Sequence, residues 1–209
     1  MNIAIIGTGS VGRALGRRWA GAGHALIFGS RHPQSDDVKA LVQSIGDRGC
    51  AAPPDEAAAS AEVIALAVPW GAAQSTVEGL GDLRGKLLID CTNPLAAGLK
   101  PAVSGDTSGA EQIARWAPGA RVVKAFNTTG ANNMEDPTYA GTPLTMFLCG
   151  DDADAKATVT GLAEDLGFEA VDAGPLVRAR LLEPMALLWI QLAMTEGFGR
   201  EIGFKLLKR

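Results

Sequence analysis

Between residues 2 and 150 the chain places six short apolar runs, NIAIIG, ALIFGS, VIALAVP, LLIDCTN, RVVKAFN and LTMFLCG. Each is apolar at successive positions, the mark of a strand covered on both faces. Such strands need helices above and below them, and VGRALGRRWAGAG, DEAAASA, GAAQSTVEGL and SGAEQIARWA lie between the runs to supply these. Strand and helix in strict alternation predict an α/β fold built on a doubly wound parallel sheet. A helix over about residues 153–166 and a last strand, FEAVDAGP, follow. From Leu176 the pattern predicts a long helix ending near Gly197 and then a short helix with a basic tail.

Composition narrows the partners. The 209 residues are 47% hydrophobic and 20% charged with a net charge of -4, as in an ordinary globular protein. No Lys/Arg block exceeds a pair, so there is no electrostatic footprint for nucleic acid. The opening run is too soon broken by Gly7 to be a leader, and no apolar run reaches membrane length. Cys50, Cys91 and Cys149 are spread evenly, with neither disulfide-framework nor metal-ligand spacing. The expectation is a cytoplasmic protein with reduced thiols, no metal, and small molecules as partners.

The first run feeds Gly7-Thr8-Gly9-Ser10-Val11-Gly12. A G-x-G-x-x-G that ends a strand and opens a helix is the dinucleotide fingerprint of a Rossmann sheet. Gly7 permits the tight turn, Gly9 lets backbone approach a pyrophosphate, and Gly12 lets helix and strand pack closely. The N–H groups of Ser10, Val11 and Gly12 then face the phosphates with the helix dipole behind them.

The second run ends in Ser30, Arg31 and His32, where an NAD-binding chain carries an acid for the ribose 2′-hydroxyl. A guanidinium and a hydroxyl suit a 2′-phosphate, so NADP(H) is the cofactor expected. His32 would stack on adenine or stand in solvent. Asp36 and Asp37 fall past the strand end, at the start of the next helix.

In such a sheet the reacting ring lies beyond the carboxyl ends of the strands. The residues there are Val68-Pro69-Trp70, Asn93 after the fourth run, and Asn127-Thr128-Thr129 after the fifth. Asn93 and Asn127 can bond ribose or carboxamide; Trp70 offers an apolar wall or a core contact. A reductase of alcohols or ketones ordinarily places a His, Lys or Tyr as proton donor. Here Lys124 sits inside its run with its orientation open, and no catalytic acid or base stands out. Hydride transfer between two flat rings needs mainly orientation, which points to a second ring cofactor.

The stretch GDDADAKATVTGLAEDLGFEAVDAGPLVRARLLE and the ending GFGREIGFKLL, with IIGTGSVGRALG, GSR, AVPW and DAGPL, resemble the coenzyme F420-dependent NADP oxidoreductases over nearly the full length. Those proteins move hydride between NADP(H) and a deazaflavin. The resemblance implies that Thr8, Gly9, Ser10, Val11, Ser30, Arg31, Val68, Pro69 and Trp70 hold NADP. It also implies that the segment after VVKAFN and the last long helix, with Thr128, Thr129, Met194 and Gly197, receive the deazaflavin. The family tends to carry a His and a Pro where this chain reads Asn127-Thr128-Thr129-Gly130-Ala131-Asn132. VVKAFNT instead resembles the oxidoreductase domain of the STEAP metalloreductases, which pass electrons from NADPH to flavin, so FMN or FAD is the other acceptor expected.

Residues 1–150 thus read as an NADP-binding Rossmann domain, and 151–209 as a small C-terminal helical extension for acceptor binding and dimerisation. LLEPMALLWIQLAMTEGFG is apolar on nearly all sides, which suits a homodimer through these helices or an intramolecular core. Two other functions fit the same residues: reduction of a small C=N or C=O substrate, and a redox sensor that binds NADP(H) without turnover.

Overall fold

The computed structural model describes all 209 residues. β1 (Asn2–Ile6) leads into α1 (Ser10–Gly21), β2 (Ala25–Gly29) into α2 (Asp36–Ile45), and β3 (Gly49–Ala52) into α3 (Pro54–Ala59). β4 (Val63–Leu66) feeds α4 (Trp70–Glu78), and β5 (Leu87–Asp90) is followed by the hairpin β6 (Leu95–Ala96) and β7 (Lys100–Pro101) before α5 (Gly109–Trp116). Then come β8 (Arg121–Lys124), α6 (Ala131–Glu135), the hairpin β9 (Thr138–Tyr139) and β10 (Thr142–Pro143), and β11 (Thr145–Gly150). α7 (Ala153–Asp165), β12 (Glu169–Asp172) and α8 (Ala179–Met194) complete the chain.

Eight strands form one sheet in the order β12-β11-β8-β5-β4-β1-β2-β3. From β3 to β8 all are parallel; β11 pairs antiparallel with β8, and β12 parallel with β11. The first crossovers step outward from β1 to β3, and the chain then returns to place β4 on the other side of β1. That reversal opens a crevice beyond the ends of β1 and β4, where a doubly wound sheet takes its ligand.

The strands alternate between two apolar layers. Ile3 and Ile5 of β1 pack with α1, α2 and α7, whereas Ala4 and Ile6 pack with α3, α4, α5 and α8. Each fully buried Ile or Leu contributes about 1.5–3 kcal/mol, so both layers hold the sheet rigid behind the crevice. Trp19 of α1 is wholly buried, meets Phe126 edge-on with ring centroids 5.6 Å apart, and donates its indole N–H to Leu162 O at 3.0 Å.

Two elements differ from the sequence reading. β3 is an edge strand of only Gly-Cys-Ala-Ala, whose small side chains give no apolar run to detect. The short C-terminal helix does not form, and residues 201–209 run without helix. α8 is capped at Thr195, and beyond it Gly197 and Gly199 hold left-handed backbone at φ 80° and 73°. The tail then takes its hydrogen bonds from elsewhere in the fold: Thr145 N donates to Phe204 O at 2.9 Å, and Trp189 Nε1 to Ile202 O at 2.9 Å. No helix is long and apolar enough to cross a membrane.

Candidate functional site

The crevice at the reversal is a cavity of about 650 Å³. Gly7 (φ 115°) makes it possible, because a Cβ there would lie 2.3 Å from Ala67 O, at the end of β4. A Cβ on Gly12 would lie 2.1 Å from Gly7 O, so that glycine brings α1 against the loop. Gly9 is different: a Cβ there would meet nothing within 4 Å. It is the N-cap of α1, with no side chain to bond the first-turn N–H groups and no acid in that turn. The helix start is therefore bare, positively polarised backbone facing open space.

At the end of β2, Gly29 packs on Ile6 and Pro54, and the chain turns outward at Ser30. Ser30 Oγ accepts from His32 N at 3.1 Å, which leaves its hydroxyl proton for a ligand. Arg31 and His32 are exposed at the rim, and the ion pair at that rim is Arg13–Asp37, not one with Arg31. Val68 and Pro69 form the facing wall, since Ala67 N bonds Ile6 O at 2.9 Å and fixes where β4 ends.

Gly7, Thr8, Gly9, Ser30, Arg31, His32, Val68 and Pro69 thus line one cavity. Ser10, Val11 and Gly12 lie in the first turn of α1 behind it. Trp70 lies outside the cavity: it opens α4 and packs on Trp116, ring centroids 5.5 Å apart. The sequence reading missed the α4 wall, made by Ala72, Ser75, Thr76 and Gly79. Their spacing of three, four and seven is one helix face of small residues, and that was the available signal.

Asn93 and Asn127 interlock past the ends of β5 and β8. Asn93 Nδ2 donates to Asn127 O at 3.2 Å, and Asn127 Nδ2 donates to Asn93 Oδ1 at 3.3 Å and Leu182 O at 3.1 Å. Asn127 is 2% exposed, yet its Oδ1 has no partner. An orphaned buried acceptor costs about 1–3 kcal/mol, so its retention fits a ligand donor such as a carboxamide N–H. The preceding residue, Phe126, is held at φ 59°, a strained conformation that aims Asn127. Lys124, whose direction the sequence left open, points inward: Nζ lies 2.8 Å from Asp90 Oδ2, 3.2 Å from Glu183 Oε1 and 2.5 Å from Thr92 O.

Of the acceptor-side residues, Thr128 is buried and Thr129 Oγ1 accepts from Asn133 Nδ2 at 2.8 Å. Asn133 Nδ2 also bonds Ile202 O at 2.7 Å, and Trp189 lies against Gly130, so this loop, α8 and the tail form one cluster. Met194, 57% exposed, and Gly197 stand at the far end of α8. Two of the three free cysteines are buried; burial foremost raises the thiol pKa of Cys149, to about 12, and also that of Cys91, which leaves both protonated and inert.

A bare helix start, and a hydroxyl and a free guanidinium at the ribose position, fit a phosphorylated nicotinamide dinucleotide; Asn93 and Asn127, with its orphaned amide oxygen, lie past the ends of β5 and β8 and do not line the cavity. Fold and site together define a Rossmann-type NADP-binding protein. Residues 2–94 match the model of the family described as NADP oxidoreductase, coenzyme F420-dependent. The F420-dependent NADP reductase of Methanothermobacter marburgensis is 35% identical over 207 residues, covering 92% of each chain. The chain belongs to this family, and so is an NADP-dependent oxidoreductase. A solved structure of a candidate F420-dependent NADP reductase from Arthrobacter sp. FB24 superposes with a TM-score of 0.91 at 32% identity, covering all of both chains. Metalloreductase STEAP3 of Rattus norvegicus is 34% identical over 186 residues; these are 88% of this chain, which spans only 36% of that protein.

Proposed function

We propose that the protein transfers hydride between NADP(H) and a deazaflavin, coenzyme F420. One observation carries the choice of a ring acceptor. The groups beyond β4, β5 and β8 are Val68, Pro69, Asn93 and Asn127, none of them titratable, while the nearby Lys124 is 0% exposed and committed to two carboxylates. A reaction run by such a wall is one whose protein contribution is orientation.

In this reading the glycine loop, Thr8 to Gly12, carries the pyrophosphate, Ser30 and Arg31 take the 2′-phosphate, and His32 borders the adenine. Val68 and Pro69 back the ribose, and Asn127 Oδ1, steadied by Asn93, accepts from the carboxamide. NADP(H) supplies the hydride chemistry when bound. Thr128, Thr129, Met194 and Gly197 remain the acceptor side, with FMN or FAD as the second reading that the VVKAFNT resemblance implies. A homodimer through α8 would cover Leu181 and Leu188, which are 62% and 50% exposed. The unpaired cysteines support a reducing, cytoplasmic setting.

The test is NADPH oxidation, followed by absorbance, with coenzyme F420, FMN, FAD or a cyclic imine as acceptor. Turnover with F420 well above the others supports the proposal. Turnover with the imine alone favours a C=N reductase; tight NADPH binding without any turnover favours a sensor.

A further inference from the structure

Two acids, Asp36 and Asp37, open α2, and Asp37 lines the same cavity as Ser30, Arg31 and His32. A carboxylate at that rim opposes a phosphorylated ribose twice over: it repels the phosphate, and it offers Arg31 an internal partner. Arg13 removes both problems. Its Nη2 pairs with Asp37 Oδ2, while its Nε donates to Thr8 O at 2.8 Å. One side chain, placed directly after the third glycine, thereby joins the glycine loop to the start of α2.

We propose that Arg13 is a specificity-determining residue for NADP(H) over NAD(H). By holding Asp37 it neutralises the acid at the rim and leaves Arg31 free for the 2′-phosphate. Without Arg13, Asp37 cancels the charge of Arg31. The pair is partly solvated, with side chains 25% and 74% exposed, so its effect is modest and confined to the phosphorylated cofactor.

The inference rests on the NADP(H) site proposed above, and the test separates the two. Dissociation constants for NADPH and NADH are measured on the purified protein and on Arg13→Gln, Asp37→Asn, the double variant and Arg31→Ala. Arg13→Gln lowers the preference for NADPH by about three- to fivefold, the scale of an exposed ion pair. Asp37→Asn, a near-isosteric surface change, raises that preference by leaving the Arg13 charge unneutralised, and Arg13→Gln in its background returns the preference to about the parent value. An unchanged preference in either single variant overturns the inference. So does a loss in Arg13→Gln that both cofactors share or that Asp37→Asn fails to rescue. If Arg31→Ala leaves the preference intact, the 2′-phosphate assignment fails instead.

Discussion

Lys124 of β8 and Glu183 of α8 meet in the core, Nζ 3.2 Å from Oε1, and they lock the C-terminal helix to the sheet. Glu183 also accepts from Gly109 N at 2.9 Å and Ala110 N at 3.0 Å, which caps α5. Asp90 completes the group from β5. Burial opposes the ammonium, but Asp90 and then Glu183 outweigh it and push the Lys124 pKa up. The lysine therefore stays charged at neutral pH, and its bond to Thr92 O steadies the loop that carries Asn93.

Replacing Lys124 with Met leaves two buried carboxylates without their cation. The expected loss is about 3–5 kcal/mol, the range for breaking a buried pair by removing one partner. Urea unfolding measures it; a loss near zero would mean that the carboxylates are relieved by other means.

Glu111 of α5 binds Arg180 of α8 through two hydrogen bonds, of 2.7 and 2.8 Å. Those bonds, ahead of the opposing effect of burial, hold its carboxyl below the ordinary glutamate value of 4.5. A depressed folded pKa stabilises the fold above the ordinary value, and the stabilisation is lost as pH falls through the folded one. Glu111→Gln is thus less stable than the parent at neutral pH, with a gap that narrows progressively below about pH 4.5. Thermal unfolding across pH 3–7 checks this; a gap independent of pH would contradict it.

Arg31→Ala is expected to weaken NADPH by about 1.5–3 kcal/mol, as for a charged hydrogen bond, and to leave NADH nearly unchanged. Calorimetry with both cofactors decides the matter. Equal losses would place the guanidinium elsewhere.

The three glycines of the loop separate folding from binding. A Cβ on Gly9 meets nothing within 4 Å, so Gly9→Val should cost stability only through the N-cap preference of α1, while both cofactors bind far more weakly through a clash at the pyrophosphate. Gly12→Ala drives a methyl into Gly7 O and should lower stability itself. Unimpaired cofactor binding in Gly9→Val would remove the loop from the site.

The sheet was legible because its central strands are continuous apolar runs, and the glycine loop and Ser30-Arg31 because strand ends fix their place. β3 was not, since four small residues on an edge carry no periodicity. The tail GREIGFKLLKR has a helical composition, but its partners, Thr145, Asn133 and Trp189, are distant in sequence and prevail over local preference. The Asp90–Lys124–Glu183 group and the Arg13–Asp37 pair join residues that only the crossovers bring together. Trp70 shows the converse: its position after β4 marks it as a site residue, yet the packing of α4 on α5 turns its ring toward Trp116.

Direct hydride transfer between two rings is tested by following the label from NADPH carrying deuterium at the transferable position of the nicotinamide. With coenzyme F420 as acceptor, mass spectrometry should find the deuterium in the reduced deazaflavin and unlabelled NADP. Deuterium in the solvent, or no reduced deazaflavin from an enzyme that binds NADPH tightly, would contradict the account.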